Sequence, residues 1–480
     1  MFLLALFWTF SLTPISRLRV LGWINILQWR VPALLQTTTQ GAFTVLFLPA
    51  ALMNCRAALR IPVVRLVAAL ALIDALVIGF SPSVGEGIRG TLPVINLFVA
   101  LVFAHQLWAA GRNPLTAVMT SLSPLVVLSA ISTIVFRLSP AIEHSYLTSW
   151  LGGRLLGQGA TLIYTTLPNN VVLSYKAGGV FFVNGNQAAL FHGVCLLAYS
   201  ACAFHGRRRL CTAMAVLCAT AVVATGSNTG ILLLILVPIA LVVLRQIVRS
   251  RIRLVWLSLG TVVVIGGVAL VASVLSLLSG GQDTATGRIN DADDTFAVRE
   301  RIWGVGRHLF DAHPLSGLGW GGWSRSFAEA PEFTQFVRVF PPHNLIIAAW
   351  SDSSLLGAFV LVVIIVTLLV QGLRRLPSRL GTPDEWPTLL VIGMVIWITA
   401  HGMGDNTFVY GTEHTTVIYA AAIIVLLCGR PPLVVDSAAG ALPNKSDSPR
   451  GLSEKIPRGP KPGRVPAVAT DYRGANARSR

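Results

Sequence analysis

Long apolar blocks separated by short polar stretches run through most of the chain. Many of them approach the ~20 consecutive apolar residues with which an α-helix crosses a bilayer. Residues 1–34 hold one or two blocks. The others lie at about 42–55, 63–80, 92–110, 115–137, 186–204, 209–225, 229–244, 254–278, 343–370, 388–402 and 414–428. The pattern predicts an all-α polytopic membrane protein with about 12 transmembrane helices, within a range of 10 to 13.

Clusters of arginine alternate along the chain with stretches that contain few basic residues. The clusters contain Arg56, Arg60 and Arg65; Arg112; Arg207, Arg208 and Arg209; Arg245, Arg249, Arg251 and Arg253; and Arg374, Arg375 and Arg379. Basic loops stay on the cytoplasmic side of a membrane. The alternation therefore predicts that loops 138–185 and 279–342 face outward, together with the turns at Gly226–Gly230 and near Asp405.

The sequence predicts two regions. Residues 1–430 are expected to form a transmembrane domain that includes the outer loop 138–185 and a large outer loop, 279–342. Residues 431–480 are rich in Pro, Gly, Ser, Lys and Arg and contain little that could form a core. We expect them to be a disordered, basic, cytoplasmic tail that either contacts anionic lipid or is simply solvated.

The composition agrees with a membrane protein and argues against a nucleic-acid-binding one. Only 12% of the 480 residues are charged, about half the share in a typical soluble domain. The net charge is +17, but the arginines lie in short clusters between apolar blocks instead of forming one basic face. This distribution follows from membrane topology, and no nucleic-acid partner is predicted.

The outer loop 279–342 contains the most informative sequence. It begins with a polar run, Gly280–Asp294, which we expect to be flexible. The segment Phe296–Phe310 then predicts an amphipathic helix at the membrane interface. Its apolar side would contain Phe296, Ile302, Trp303 and Phe310. A glycine-rich stretch follows, and the loop ends at Pro341-Pro342-His343-Asn344, where an apolar block begins.

Arginines and a histidine at the outer surface suit a phosphate-containing lipid donor and a hydroxyl acceptor. Arg299 and Arg301 could hold phosphate oxygens, because the guanidinium fork pairs with them in a bidentate way. His343 could accept a proton at neutral pH. As alternatives, the arginines pair with nearby carboxylates or lipid headgroups, and His343 only begins a helix. The outward Asp, Glu and His residues show no convincing metal-ligand spacing, so neither a metal nor another cofactor is predicted.

Several short motifs follow one another along about residues 180–370. They are Asn186-Gln187-Ala188-Ala189; Thr225-Gly226-Ser227; Arg299-x-x-x-Trp303; Pro314-Leu315-x-Gly317-x-Gly319; and His343-Asn344 followed by Leu355-Leu356-Gly357. In their order and spacing, which are fairly specific, these motifs resemble the O-antigen ligase and polymerase superfamily of bacterial envelope glycosyltransferases.

The resemblance implies a helical membrane glycosyltransferase in the bacterial cytoplasmic membrane. The donor would be an undecaprenyl-diphosphate-linked oligosaccharide, and the acceptor a glycan or glycolipid hydroxyl. Arg299 would bind the pyrophosphate and His343 would be the catalytic base, with Asn344 orienting the ring or the acceptor. Transfer would need no metal, and direct displacement would invert the anomeric centre. Membrane lipids are the other expected partners.

The chain departs from the family pattern at one position. Many members carry Ser-Arg-Gly where this chain reads Ser227-Asn228-Thr229-Gly230, and that arginine is a second phosphate ligand. Asn228 stands at this substrate-binding position but has no charge. Candidates to replace the missing arginine are Arg301, Arg154 and Lys176; otherwise the chain uses a different donor or is inactive.

Two rival functions remain open on sequence grounds. A lipid-linked glycan flippase or other multi-pass transporter would place ionisable residues near the middle of the membrane and often contains internal repeats. Asp74 is the clear carboxylate deep in an apolar block, and no convincing repeat is found. The other rival is a non-catalytic scaffold.

Overall fold

The computed structural model of the protein describes residues 10–28, 39–156, 176–205, 208–250, 286–335, 339–405, 407–409 and 411–432. Within these ranges the fold is helical and contains no β-sheet, which confirms the predicted all-α class. The helices are α1 Pro14–Leu27, α2 Thr39–Ala58, α3 Pro62–Val77, α4 Val84–Ala109, α5 Pro114–Leu138, α6 Pro140–Leu147, α7 Trp150–Leu155, α8 Gly185–Cys202, α9 Arg208–Ala224, α10 Asn228–Arg249, α11 Thr286–Ala312, α12 Gly322–Glu329, α13 Leu345–Arg379, α14 Glu385–Gly402 and α15 Thr416–Cys428.

Short polar side chains begin several of these helices. In each case a side-chain oxygen accepts a backbone N–H from the first turn, which would otherwise lack a partner. The residues are Thr13, Asn113, Asn184, Ser227 and Asn344. Pro14 and Pro114 then occupy a first-turn position where no N–H is needed. The boundaries between apolar blocks are therefore set by local capping.

Six described helices are long and apolar enough to cross a membrane. They span Gln40–Ala58, Pro62–Phe80, Val84–Ala109, Pro114–Leu138, Asn228–Arg249 and Leu345–Arg379. The chain is also helical at α8, α9, α14 and the shorter apolar helix α15, where spans are predicted. The predicted span 254–278 lies outside the described residues. The total of about 12 spans remains a prediction.

Helices α4 and α15 form the centre of the packing. Helix α4 lies against α2, α3 and α15, and residues 416–427 of α15 are all buried. Helix α8 packs against α9 and α14, and α13 packs against α3 and α14. Close approach depends on small residues: a methyl group on Gly193 of α8 would lie 2.0 Å from the Trp397 ring of α14.

Helix α11 is longer than the sequence indicates. It begins at Thr286, so the expectation of a flexible run is wrong for residues 286–294, while residues 280–285 lie outside the described part. The buried side chains are Ile302, Val305 and Leu309, and Phe310 is 37% exposed. The predicted apolar side was therefore slightly misaligned. Once the part of α11 with buried side chains has formed, each further residue adds a backbone hydrogen bond. The helix can therefore continue through polar sequence.

Helix α13 also exceeds its apolar block. The sequence places a loop after residue 370, but the helix continues to Arg379. Arg375 Nη1 donates a hydrogen bond of 2.9 Å to Leu426 O at the end of α15, and Arg379 Nη1 donates one of 2.6 Å to Thr388 Oγ1. The arginines that mark the predicted cytoplasmic boundary are thus helical residues with partners on two neighbouring helices.

A break interrupts α13 near its start. Ser354 has φ 71° and ψ 173°, which is not helical, although helix continues on both sides. Such a break leaves backbone groups without helical partners. The outer loop supplies them: Leu318 N–H donates to Ser351 O at 2.8 Å, and Leu355 N–H donates to Leu315 O at 3.2 Å.

The glycine-rich motif makes this docking possible. Gly317 has φ 66°, and a methyl group there would lie 2.3 Å from Trp350 O. The indole of Trp350 donates to Pro314 O at 3.2 Å. Only a residue without Cβ can adopt this backbone conformation at such a distance without strain. The Pro314-Leu315-x-Gly317-x-Gly319 motif therefore attaches the outer loop to the broken end of α13.

Candidate active site

His343 lies immediately before α13, beside a carboxylate from another helix. Its Nδ1 is 3.5 Å from Asp405 Oδ1, and Asp405 follows the C-terminal end of α14. The Asp405 side chain is 9% exposed, whereas the imidazole is 23% exposed. A buried carboxylate next to a more accessible imidazole can orient the ring and stabilise the imidazolium that forms when it takes a proton.

The backbone before His343 is held by tryptophan side chains. Trp303 of α11 donates its indole N–H to Pro342 O at 3.1 Å, and Trp323 of α12 donates to Phe340 O at 2.8 Å. His343 itself has φ 47°, in the left-handed region that is unfavourable for a residue with Cβ. Strained backbone of this kind persists where surrounding contacts over-determine it, often at functional positions.

Arg299 of α11 lies close to the residues around Asp405. A methyl group on Gly404 would lie 3.4 Å from Arg299 Nη1. Burial lowers the pKa of Arg299, while the negative charge of Asp405 raises it. Since the ordinary pKa of an arginine side chain is far above 7, the guanidinium remains charged at physiological pH. The site thus combines a fixed positive charge with a paired histidine.

His401 connects this cluster to the start of α8. It is fully buried on α14, lies within electrostatic range of Asp405 and Arg299, and faces the backbone of Asn186. Asn186 is in the first turn of α8, after the capping residue Asn184. The predicted Asn186 motif is therefore next to the His343 and Arg299 motifs.

The turn between α9 and α10 packs against the same end of α8. Thr225 O accepts a hydrogen bond of 3.1 Å from Ala177 N–H, and a methyl group on Gly185 would lie 2.4 Å from Thr225 O. Ser227 is buried and caps α10, while Asn228 is exposed in its first turn. The motifs that contain Asn186, Thr225, Arg299 and His343 thus lie in one region of the molecule.

Residues 213–362 match the family described as O-Antigen ligase. The predicted resemblance is confirmed. The chain is also 29% identical over 143 residues to the exopolysaccharide production protein ExoQ of Rhizobium meliloti (strain 1021). That alignment covers 28% of this chain and 32% of the relative.

The O-Antigen ligase match contains Arg299 and His343 and ends before Asp405. Asp405 and His401 are the functional candidates that sequence reasoning did not select. A signal was present, because the turn near Asp405 was predicted to face outward with the catalytic loop. A single aspartate in a short turn does not form a sequence motif, so the sequence alone does not distinguish it from an ordinary turn residue.

The other predicted binding residues have varied surroundings. Arg301 is exposed on α11. Asn344 uses its Oδ1 to accept the N–H groups of Ile346 and Ile347, at 2.9 and 3.2 Å, so that oxygen is engaged in capping α13. Its role toward the histidine ring or the acceptor stays a prediction.

Arg154 and Lys176 differ in their relation to the cluster. The Arg154 guanidinium lies over the Trp150 ring at 5.6 Å on α7, and no contact in the described part of the chain joins it to His343 or Asp405. Lys176 is half-buried and directly precedes Ala177, the residue bonded to Thr225. Lys176 therefore lies close to the turn that contains Thr225 and Asn228.

Proposed function

We propose that this protein transfers a glycan from an undecaprenyl-diphosphate-linked donor to an acceptor hydroxyl, at the outer face of the bacterial cytoplasmic membrane. The family match and the exopolysaccharide relative support a ligase or polymerase role in polysaccharide production. The observation that carries the proposal is the His343–Asp405 pair beside Arg299, at the start of a helix able to cross a membrane.

The arrangement suggests a direct displacement. His343 would remove the proton of the acceptor hydroxyl while Asp405 stabilises the resulting imidazolium. The acceptor oxygen would form its bond to the anomeric carbon as the bond to the pyrophosphate oxygen breaks, which inverts that carbon. The departing pyrophosphate would keep the bonding electrons, and Arg299 would stabilise its increasing negative charge.

A second cation would assist the pyrophosphate, because Asn228 is neutral. Among Lys176, Arg301 and Arg154, the position of Lys176 favours it, since its neighbour Ala177 bonds to the Asn228-containing turn through Thr225. Arg154 is stacked on Trp150. We therefore propose Lys176 as the replacement for the family arginine, with Arg301 as the second candidate.

We also propose that transfer needs no metal and that the two outer loops lie outside the membrane, with about 12 spans and a cytoplasmic C-terminus. The topology can be measured with reporter fusions. A reporter at residue 440 is expected to report a cytoplasmic location, and one at residue 285 an external location. The opposite pair of results would reverse the proposed orientation and move the His343 site to the cytoplasmic side.

The function is tested by analysing lipid-linked glycans in a deletion strain. Long chains retained on the lipid would identify a ligase, and single repeat units would identify a polymerase. Loss of the glycan from the outer leaflet, with the precursor retained on the cytoplasmic side, would indicate the flippase alternative and contradict the proposal. Transfer in isolated membranes is expected to continue in excess EDTA; loss that a divalent ion restores would contradict metal independence.

A further inference from the structure

A small pocket lies at the end of α13 that is opposite His343. It forms where the C-terminal ends of α13 and α15 meet the start of α14, and its lining includes Arg379, Asp384, Thr388, Leu426, Gly429 and Arg430. Helix α13 has 35 residues and is therefore about 50 Å long. This length exceeds the roughly 30 Å of hydrocarbon in a bilayer, so the end that carries Arg379 reaches the lipid headgroups.

Tryptophan side chains lie at the same depth. Trp108, near the end of α4, donates its indole N–H to Gly429 O at 3.1 Å. Trp386, in the first turn of α14, has the Arg245 guanidinium 5.5 Å from its ring centroid. Tryptophan is enriched where the hydrocarbon of a membrane meets water. The pocket therefore lies at the level of the phospholipid phosphates.

Two arginines of α13 converge on one backbone carbonyl beside this pocket. Arg375 Nη1 and Arg379 Nη2 lie 2.9 and 3.4 Å from Leu426 O, and Arg379 Nη1 donates to Thr388 Oγ1 at 2.6 Å. These acceptors are uncharged, and neither arginine forms an ion pair within the described part of the chain. The C-terminal end of α15 supplies the equivalent of about half a negative charge. The two guanidinium groups therefore keep an excess of positive charge.

The acids near the pocket do not remove this excess. Asp384 lines the pocket together with Arg379, and it accepts a hydrogen bond of 2.8 Å from Arg430 Nε. Glu385, the next residue, pairs with Arg245. One carboxylate thus accompanies three guanidinium groups, and the pocket is suited to an anion.

A phosphate group attached to apolar chains matches the lining of this pocket. A guanidinium pairs with phosphate oxygens through its planar fork and keeps its charge. Each arginine has five N–H groups, so Arg379 and Arg430 retain donors beyond those bonded to Thr388, Leu426 and Asp384. The buried side chains of α14 and α15 that line the pocket form an apolar wall. Basic pockets between membrane helices bind lipid headgroups in this way.

We propose that this pocket binds the phosphodiester headgroup of an anionic phospholipid, with Arg379 and Arg430 holding the phosphate oxygens. The bound lipid would join the ends of α13, α14 and α15 on the membrane surface opposite the His343 site. In the proposed orientation this surface is the cytoplasmic one. Lipid binding here is separate from glycan transfer and does not depend on it.

Native mass spectrometry of the purified, delipidated full-length protein tests this site. The protein is titrated with phosphatidylglycerol or with phosphatidylcholine of the same acyl chains. One phosphatidylglycerol is expected to bind more tightly than any phosphatidylcholine, because the choline cation is repelled by the arginines. Arg379→Gln should lower the affinity for phosphatidylglycerol by about tenfold or more, since it removes charge-assisted hydrogen bonds.

Arg374→Gln is the matched control, because Arg374 is an exposed arginine on the same helix and lies outside the pocket lining. It loses the same charge and should keep nearly the wild-type affinity. The basic tail is present in every variant, so its contribution is the same throughout.

Two further variants distinguish lipid binding from a structural role of the arginines. Asp384→Asn removes a negative charge from the pocket and keeps an oxygen that can accept the Arg430 N–H, so it should raise the affinity for phosphatidylglycerol. A structural role alone predicts no such gain. Arg430→Gln should lower the affinity, and it changes a side chain that is 58% exposed. This variant provides the test if Arg379→Gln does not fold.

Three results would overturn the proposal. Equal affinity for the two lipids would show that the charge of the pocket does not select its ligand. Equal losses in Arg379→Gln and Arg374→Gln would indicate a general effect of charge. Displacement of the lipid by an equal concentration of inorganic phosphate would identify free phosphate as the ligand. None of these measurements uses a glycan donor, so their failure is distinguishable from failure of the proposed function.

Discussion

Replacing His343 with alanine is expected to lower glycan transfer by about 10²-fold or more while donor binding persists. The imidazole is the more accessible member of the His343–Asp405 pair, and it lies just before α13, a helix long and apolar enough to cross a membrane. Without it, the acceptor hydroxyl has no group to take its proton. The measurement is transfer per folded molecule in membranes with matched protein levels.

Suitable controls distinguish a base from a structural residue. His313→Ala changes an exposed histidine in the same outer loop and should leave transfer unchanged. Asn113→Ala removes the cap of α5, a helix that carries none of the proposed site residues, and should cost about 1 kcal/mol of stability. If His343→Ala instead resembles the cap variant, with less protein but turnover within about threefold of wild type, far short of the ~10² expected of a base, then His343 is not the base.

Replacing Arg299 with alanine should abolish detectable transfer, a loss of about 10²–10³-fold. The guanidinium is half-buried beside Gly404 and Asp405, so its charge is held next to the proposed base. Arg299→Lys should restore only part of the rate, since an ammonium lacks the planar fork that matches phosphate oxygens. Expression and membrane insertion should be normal in both variants.

Arg307→Ala is the matched control for Arg299, because Arg307 is an exposed arginine on the same helix. It should keep wild-type transfer. Lys176, Arg301 and Arg154 should each be replaced by alanine in parallel. The residue whose replacement weakens donor binding is the second cation that binds the pyrophosphate. Full activity of Arg299→Ala would remove this residue from the site, and loss in Arg307→Ala would indicate a general effect of charge on α11.

Helix α13 connects the proposed base with the outer loop. His343 precedes the capping residue Asn344, two residues before the helix begins. The glycine-rich outer loop covers the break at Ser354 through Leu318 and Leu355.

The sequence by itself determined the helical class, most helix positions and two members of the proposed site. These depend on local patterns: runs of apolar residues, capping residues such as Asn344 and Ser227, and an arginine and a histidine in a loop predicted to face outward. Local patterns failed at two helix ends. Residues 286–294 continue a helix through polar sequence, and the end of α13 is held by hydrogen bonds from Arg375 and Arg379 to neighbouring helices.

Only the tertiary structure decided which distant residues meet. Asp405 contacts His343, and His401 faces Asn186. The two members of each pair are distant from each other in the sequence. Such pairs depend on how helices rotate and pack, which small residues such as Gly193 and Gly317 permit. A helix that is apolar on all sides has no polar face in its sequence pattern. The pattern therefore predicts neither which side of the helix faces inward nor which helix packs against it.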